Sequence, residues 1–167
     1  DPQREISAVG FRIVAPGEYF AKHRLIDDEY VKNLKAERES APLHIEPMLN
    51  ELVLVRKLLR GIRVIGVSDS VFHSTLPAHA YTYAIQHDVA EKFGIRKFGY
   101  HGSSFASVVR KVDALSGTLP SKIIVCHLGS GCSITAIKDG KSIDTSMGLS
   151  PLEGVSMGTR VGDIDAG

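Results

Sequence analysis

The sequence predicts an α/β fold. Strand-like and helix-like segments alternate up to about residue 120; Met48, Leu49, Leu52, Val55, Leu58 and Leu59 keep helical spacing; and Lys122 to Leu128 is a β-branched run feeding a glycine turn. The 167 residues, 43% hydrophobic and 23% charged, suit one large or two small soluble domains. Twenty Lys plus Arg stand against nineteen Asp plus Glu, so no bulk field recommends nucleic acid or an anionic membrane as partner. Any bound anion must be met locally.

Taken in order, Ile6 to Val14 reads as a buried strand entering the turn Ala15-Pro16-Gly17. Asp27 to Ser40 reads as a helix with a solvated charged face. Pro42 and Pro47 are expected to bracket a loop before the core-facing helix around Leu52. Arg63 to Val67 reads as a strand that leaves Asp69 at its carboxyl end, where ligands collect in α/β sheets. Pro77 to Phe93 reads as one helix stopped by Gly94, and Gly99 to Ser104 as a turn before a helix from Phe105 to Leu115. After Lys122 to Leu128, strands Ser133 to Ile137 and Ser142 to Asp144 flank an Asp139-Gly140 hairpin turn.

Two cysteines, Cys126 and Cys132, flank a glycine turn with no second pair to complete a zinc site, and a reduced compartment is the default expectation. No apolar run is long enough to span a bilayer and no secretory leader is visible, so the expected address is cytoplasmic. Asp1 in place of Met, and a final turn at Gly162 to Gly167, make both ends read as cuts.

Several residues can carry chemistry. Gly129-Ser130-Gly131 can offer backbone N–H groups to phosphate oxygens, although most such turns only reverse the chain, and no Walker A lysine follows. Arg12 and Arg160 stand beside glycine-rich turns, and a guanidinium fork pairs with carboxylate or phosphate. His101 can donate to developing charge or simply close its turn. Asp69 can hold a metal or orient a substrate; capping the next segment is the commoner fate.

The order and wording of these pieces resemble the acetate kinase family. Gly10-Phe11-Arg12-Ile13-Val14, Ala41-Pro42-Leu43-His44, Asp69-Ser70-Val71-Phe72-His73 and Tyr100-His101-Gly102-Ser103-Ser104 follow its text in sequence. So do His127-Leu128-Gly129-Ser130-Gly131, Asp144-Thr145-Ser146-Met147-Gly148, Pro151-Leu152-Glu153-Gly154 and Met157-Gly158-Thr159-Arg160. The resemblance implies an actin-like, hexokinase-like ATPase fold of two domains, present in part. Residues 1–70 would belong to the acyl-substrate side and 74–167 to the nucleotide side, with substrate and ATP meeting in the cleft between them.

It further implies magnesium-dependent phosphoryl transfer between ATP and acetate, with propionate as the alternative acceptor, in a cytoplasmic homodimer. On that reading Asp69, His101 and Arg160 are catalytic, and Asp69 also helps place magnesium or the acceptor. Arg12, Val14, Leu43, Tyr100 and Pro151 bind the carboxylate substrate, while His127, Leu128, Gly129, Ser130 and Gly131 cradle ATP phosphates. The family's asparagine-bearing hairpin is expected before Arg12 and its adenosine segment after Gly167. Phe11, Ile45, Phe105 and Ser130 depart from the usual histidine, asparagine, histidine and asparagine, and Ala15-Pro16-Gly17 replaces His-Gly-Gly. Phe105, Ser130 and the missing ends favour a rival reading, a non-catalytic relative or fragment serving as a ligand-binding or interaction module.

Overall fold

The computed structural model describes residues 6–165 and 167. The chain divides into two compact units, Asp1–Ser68 and Asp69–Gly167. Among the described residues, no helix is long and apolar enough to cross a membrane.

In the first unit, β1 (Ala8–Ile13) runs parallel to β3 (Arg63–Ser68), and the short β2 (Arg24–Leu25) pairs antiparallel with β3, giving the order β1-β3-β2. A parallel pair needs a long crossover, which α1 (Asp28–Ala36) and α2 (Pro42–Leu58) supply. Asp27 starts α1 by accepting the Tyr30 backbone N–H at 2.8 Å. Strand alternation buries Phe11 and Ile13 and leaves Arg12 exposed on the opposite face.

The expected loop between Pro42 and Pro47 is instead the first part of α2. Pro42 opens the helix, where a missing N–H costs nothing. Pro47 forfeits one helical bond, and burial of Ile45, Met48, Leu49 and Leu52 around it outweighs that loss. Helix α1 and the sheet meet closely at Gly66, where an added Cβ would lie 2.5 Å from the Tyr30 hydroxyl oxygen. Tyr30 is fully buried, stands edge-to-face on Phe20 at 5.3 Å, and its hydroxyl finds no hydrogen-bond partner among the described residues.

The second unit opens with a short 3-10 helix, Val71–Thr75, followed by α3 (Ala78–Tyr81), α4 (His87–Phe93) and α5 (Gly102–Ser116). An antiparallel meander of β4 (Lys122–Leu128), β5 (Cys132–Lys138) and β6 (Lys141–Thr145) completes it. Asp139 and Gly140 take φ of 49° and 75°, the geometry a two-residue hairpin requires. One sheet face buries Ser133, Thr135 and Ile137, and the other exposes Ile124 and Leu128.

The single helix expected over 77–93 is broken into α3 and α4. Between them the Tyr83 hydroxyl bonds Glu153 and accepts the Leu149 N–H at 2.8 Å, contacts that draw the chain out of helical register. Gly94 ends α4 at φ 62°, as expected. The helix expected from Phe105 begins earlier, at Gly102, because Asp69 supplies partners for its N-terminus.

His73 ties this unit together. Its Nε2 donates to the Tyr100 carbonyl at 2.9 Å, so its Nδ1 accepts from the Ser142 hydroxyl, also at 2.9 Å. Burial lowers its pKa from 6.5 to about 4, against the pull of the Tyr100 bond and the nearby Asp69 charge.

Gly66→Ala should destabilise the chain by about 1–3 kcal/mol in urea melts. Tyr30→Phe should recover only part of that loss, because the Tyr30 ring carbon Cζ would still lie 2.8 Å from the new Cβ. For His73, the unfolded chain takes up a proton that the folded chain refuses between pH 6.5 and about 4. Its contribution is therefore complete above 6.5 and declines as pH falls toward 4, by up to roughly 3 kcal/mol. Urea midpoints should fall with pH across that window, with a shallower slope in His73→Gln.

Candidate functional site

The turn 99–102 is threaded between Asp69 and His73. Gly99 takes φ 71°, and an added Cβ there would lie 2.7 Å from the His73 ring. Tyr100 gives its carbonyl to His73 and its hydroxyl to the Leu149 carbonyl at 2.6 Å. His101 sits in the left-handed region at φ 59°, uncommon for a side-chain-bearing residue, with its N–H donated to the Asp69 carboxylate at 2.8 Å. Gly102 donates its N–H to the Asp69 carbonyl at 2.8 Å, and an added Cβ at Gly102 would strike that oxygen at 2.2 Å. Glycine at 102 is thus a steric requirement of this turn. A longer contact, 3.5 Å from the Ser103 N–H, brings the second Asp69 carboxylate oxygen to the same helix end.

So held, the His101 ring stacks on His127 with centroids 4.0 Å apart and planes 18° apart. His101 Nδ1 bonds the Ser133 hydroxyl at 2.8 Å, and His127 Nδ1 bonds the Ser104 hydroxyl at 3.0 Å. The opposite nitrogen of His101 faces Gly131. A Cβ on Gly131 would lie 3.0 Å from His101 Nε2 and 2.5 Å from Arg160 Nη2, so the two side chains converge on one glycine.

Arg160 is aimed by its second amino group, whose Nη1 donates to the Pro151 carbonyl at 2.5 Å. Its loop is closed at the base by Asp163, which donates its N–H to the Gly154 carbonyl at 2.7 Å and accepts the Gly154 N–H at 2.9 Å. The same loop touches the glycine turn through Gly158 N–H to the Ser130 carbonyl at 3.1 Å. A cation, an imidazole and a glycine-rich turn therefore meet at Gly131, the composition of an anion site.

The structure brings together Asp69, His101, Arg160, Pro151 and the turn Gly129 to Gly131. Tyr100 is buried beside His101, while Leu128 stands exposed on the outer sheet face. Arg12 and Val14 belong to the first unit. Arg12 is exposed there, and Val14 is buried with its N–H on Met48 Sδ at 3.3 Å. Leu43 lies in the first turn of α2, and its side chain falls outside the described residues. The Asp69 carboxylate accepts from backbone donors, and among the described residues no group of three metal-ligating side chains occurs.

Sequence reading did not single out Ser104, Ser133, Tyr83 or Glu153. For Ser133 a signal existed: a hairpin centred on Ser130 pairs 127 with 133, the register observed, and so places Ser133 beside His127 on the inner face. Glu153 pairs with Lys97 Nζ at 2.6 Å and bonds the Tyr83 hydroxyl, fastening the Pro151 loop. Nothing local in the sequence announces that pairing.

The model of the Acetokinase family matches residues 1–167. The chain is 47% identical over 161 residues to the acetate kinase of Brachyspira hyodysenteriae, covering 96% of this chain and 41% of that relative. It is 48% identical over 165 residues to the acetate kinase of Bacteroides fragilis, covering 98% and 42%. Among solved structures, a propionate kinase from Francisella tularensis superposes with a TM-score of 0.89 at 41% identity, over 96% of this chain and 42% of that one. The acetate kinase of Porphyromonas gingivalis gives 0.84 at 42% identity, over 97% and 41%. The chain thus spans about two-fifths of the length of these relatives, with part of the actin-like ATPase fold they share. With its glycine turn, His101 and Arg160 all inside the matched span, the chain belongs to the Acetokinase family.

Proposed function

We propose that this chain carries the phosphoryl-binding part of an acetate kinase, which moves a phosphoryl group between ATP and acetate. The observation that carries the proposal is the convergence of His101 Nε2 and Arg160 Nη2 on Gly131. Phosphoryl transfer asks a protein chiefly to position the reactants and to neutralise oxygens that gain negative charge. Arg160 supplies the fixed charge, and its tie to Pro151 holds the guanidinium in place before substrate arrives. His101 supplies a hydrogen-bond donor beside it.

The backbone of Gly129 to Gly131, with His127 and Leu128 leading into it, would receive ATP phosphates. Arg12 would grip the acceptor carboxylate, and Val14, Leu43, Tyr100 and Pro151 would shape the space for its alkyl end. Asp69 acts by holding His101 in place. Magnesium would enter with the nucleotide, since no cluster of three metal-ligating side chains stands among the described residues. The likeness to a propionate kinase makes propionate the second acceptor to test. A cytoplasmic homodimer belongs to the same reading.

The test is acyl-phosphate formation, trapped as the hydroxamate, from ATP, magnesium and either acetate or propionate. The enzyme is the protein encoded by the longest reading frame containing this chain. Turnover is expected with acetate, and Gly131→Ala and Arg160→Ala should each lower it at least about 100-fold. A folded protein that forms no acyl phosphate from either acid contradicts the proposal, as does one whose rate survives both substitutions.

A further inference from the structure

Ser133 is completely buried, and among the described residues its hydroxyl oxygen has one hydrogen-bond partner, His101 Nδ1 at 2.8 Å. A hydroxyl can either give or receive in such a pair. If Nδ1 carried the ring proton, Ser133 would accept it and its own hydrogen would be buried with no acceptor, at a cost of about 1–3 kcal/mol. If Nδ1 is bare, the hydroxyl donates and both groups are satisfied.

The same unit holds a pair whose direction is already settled. His73 Nε2 faces the Tyr100 carbonyl, which can only accept, so the neutral ring is protonated there and Ser142 donates to Nδ1. Ser142 and Ser133 are both fully buried strand serines facing a histidine Nδ1.

We propose that Ser133 is a positioning residue that donates to His101 Nδ1 and thereby keeps the proton of the neutral ring on Nε2, the nitrogen facing Gly131. A neutral imidazole with this tautomer is a donor toward the glycine turn, whereas the opposite tautomer would present a lone pair to an incoming phosphate oxygen and repel it. The use of the Nε2 proton rests on the phosphoryl-site reading above, and the tautomer itself does not. Ser133 therefore selects what His101 can offer, without itself touching the ligand.

Long-range nitrogen–proton NMR spectra of the histidine-labelled 167-residue chain at about pH 8, where an ordinary imidazole is neutral, read the tautomer directly. His101→Asn assigns the ring signals. The expected result is a His101 ring protonated at Nε2, with Nδ1 shifted as a hydrogen-bonded acceptor. In Ser133→Ala that shift should vanish and a second tautomer should appear, while Ser133→Thr, which keeps the hydroxyl, should restore the original pattern. A wild-type ring protonated at Nδ1 overturns the proposal, as does a folded Ser133→Ala chain with an unchanged spectrum. Should the alanine variant fail to fold, the wild-type tautomer alone decides. Failure of the chain to bind phosphate, with Nε2 protonated as expected, would count against the phosphoryl-site reading and not against this one.

Discussion

A carboxylate that is 1% exposed must find donors, and Asp69 finds them at the amino end of α5. That single placement has several consequences. It supplies acceptors for backbone N–H groups that a helix start leaves unpaired, and it offsets the cost of holding His101 at positive φ. Through its own carbonyl it also bonds Gly102, which is why no side chain is tolerated there. The imidazole of His101 therefore projects from a helix start fixed by a buried group, and its direction does not depend on a mobile loop. In Asp69 the common capping fate of such an aspartate and the placement of the His101 ring are one fact.

Around that fixed ring the remaining contacts act in layers. Ser133 and His127 hold the His101 ring from two sides, and the tie from Arg160 to Pro151 holds the guanidinium that meets it at Gly131. Glu153, bonded to Tyr83 and Lys97, in turn fixes the stretch carrying Pro151. Three of the four single-residue departures from the family pattern are buried. Phe11 and Ile45 are in the core of the first unit, and Phe105 is fully buried against His73 in the second. These substitutions place apolar surface in apolar surroundings and are accounted for by packing. Ser130 is different, since it is exposed in the glycine turn itself.

Much of the fold was legible because its signals are local. The β-branched run before Gly129, the Asp139-Gly140 turn and the Gly94 stop each depend on a few adjacent residues, and each is observed. What local reading missed depends on distant partners. Pro42 and Pro47 read as a loop because the core that buries Ile45 and Met48 lies elsewhere in the sequence. The break between α3 and α4 depends on Glu153 and Leu149, more than sixty residues away. Likewise the convergence of His101 and Arg160 was implied only by family resemblance, while Ser133 could have been found from hairpin register.

The most direct test of the central claim is a nitrogen–proton NMR titration of the 167-residue chain with acetyl phosphate, following the His101 ring, the Gly131 amide and the Arg160 side chain together. If these groups form one anion site, all three should shift on a single binding curve, and Asp69→Ala, by releasing the His101 backbone, should weaken that curve in a chain that still folds. Acetyl phosphate that shifts none of the three, or that shifts Arg160 while His101 stays silent, would contradict the account.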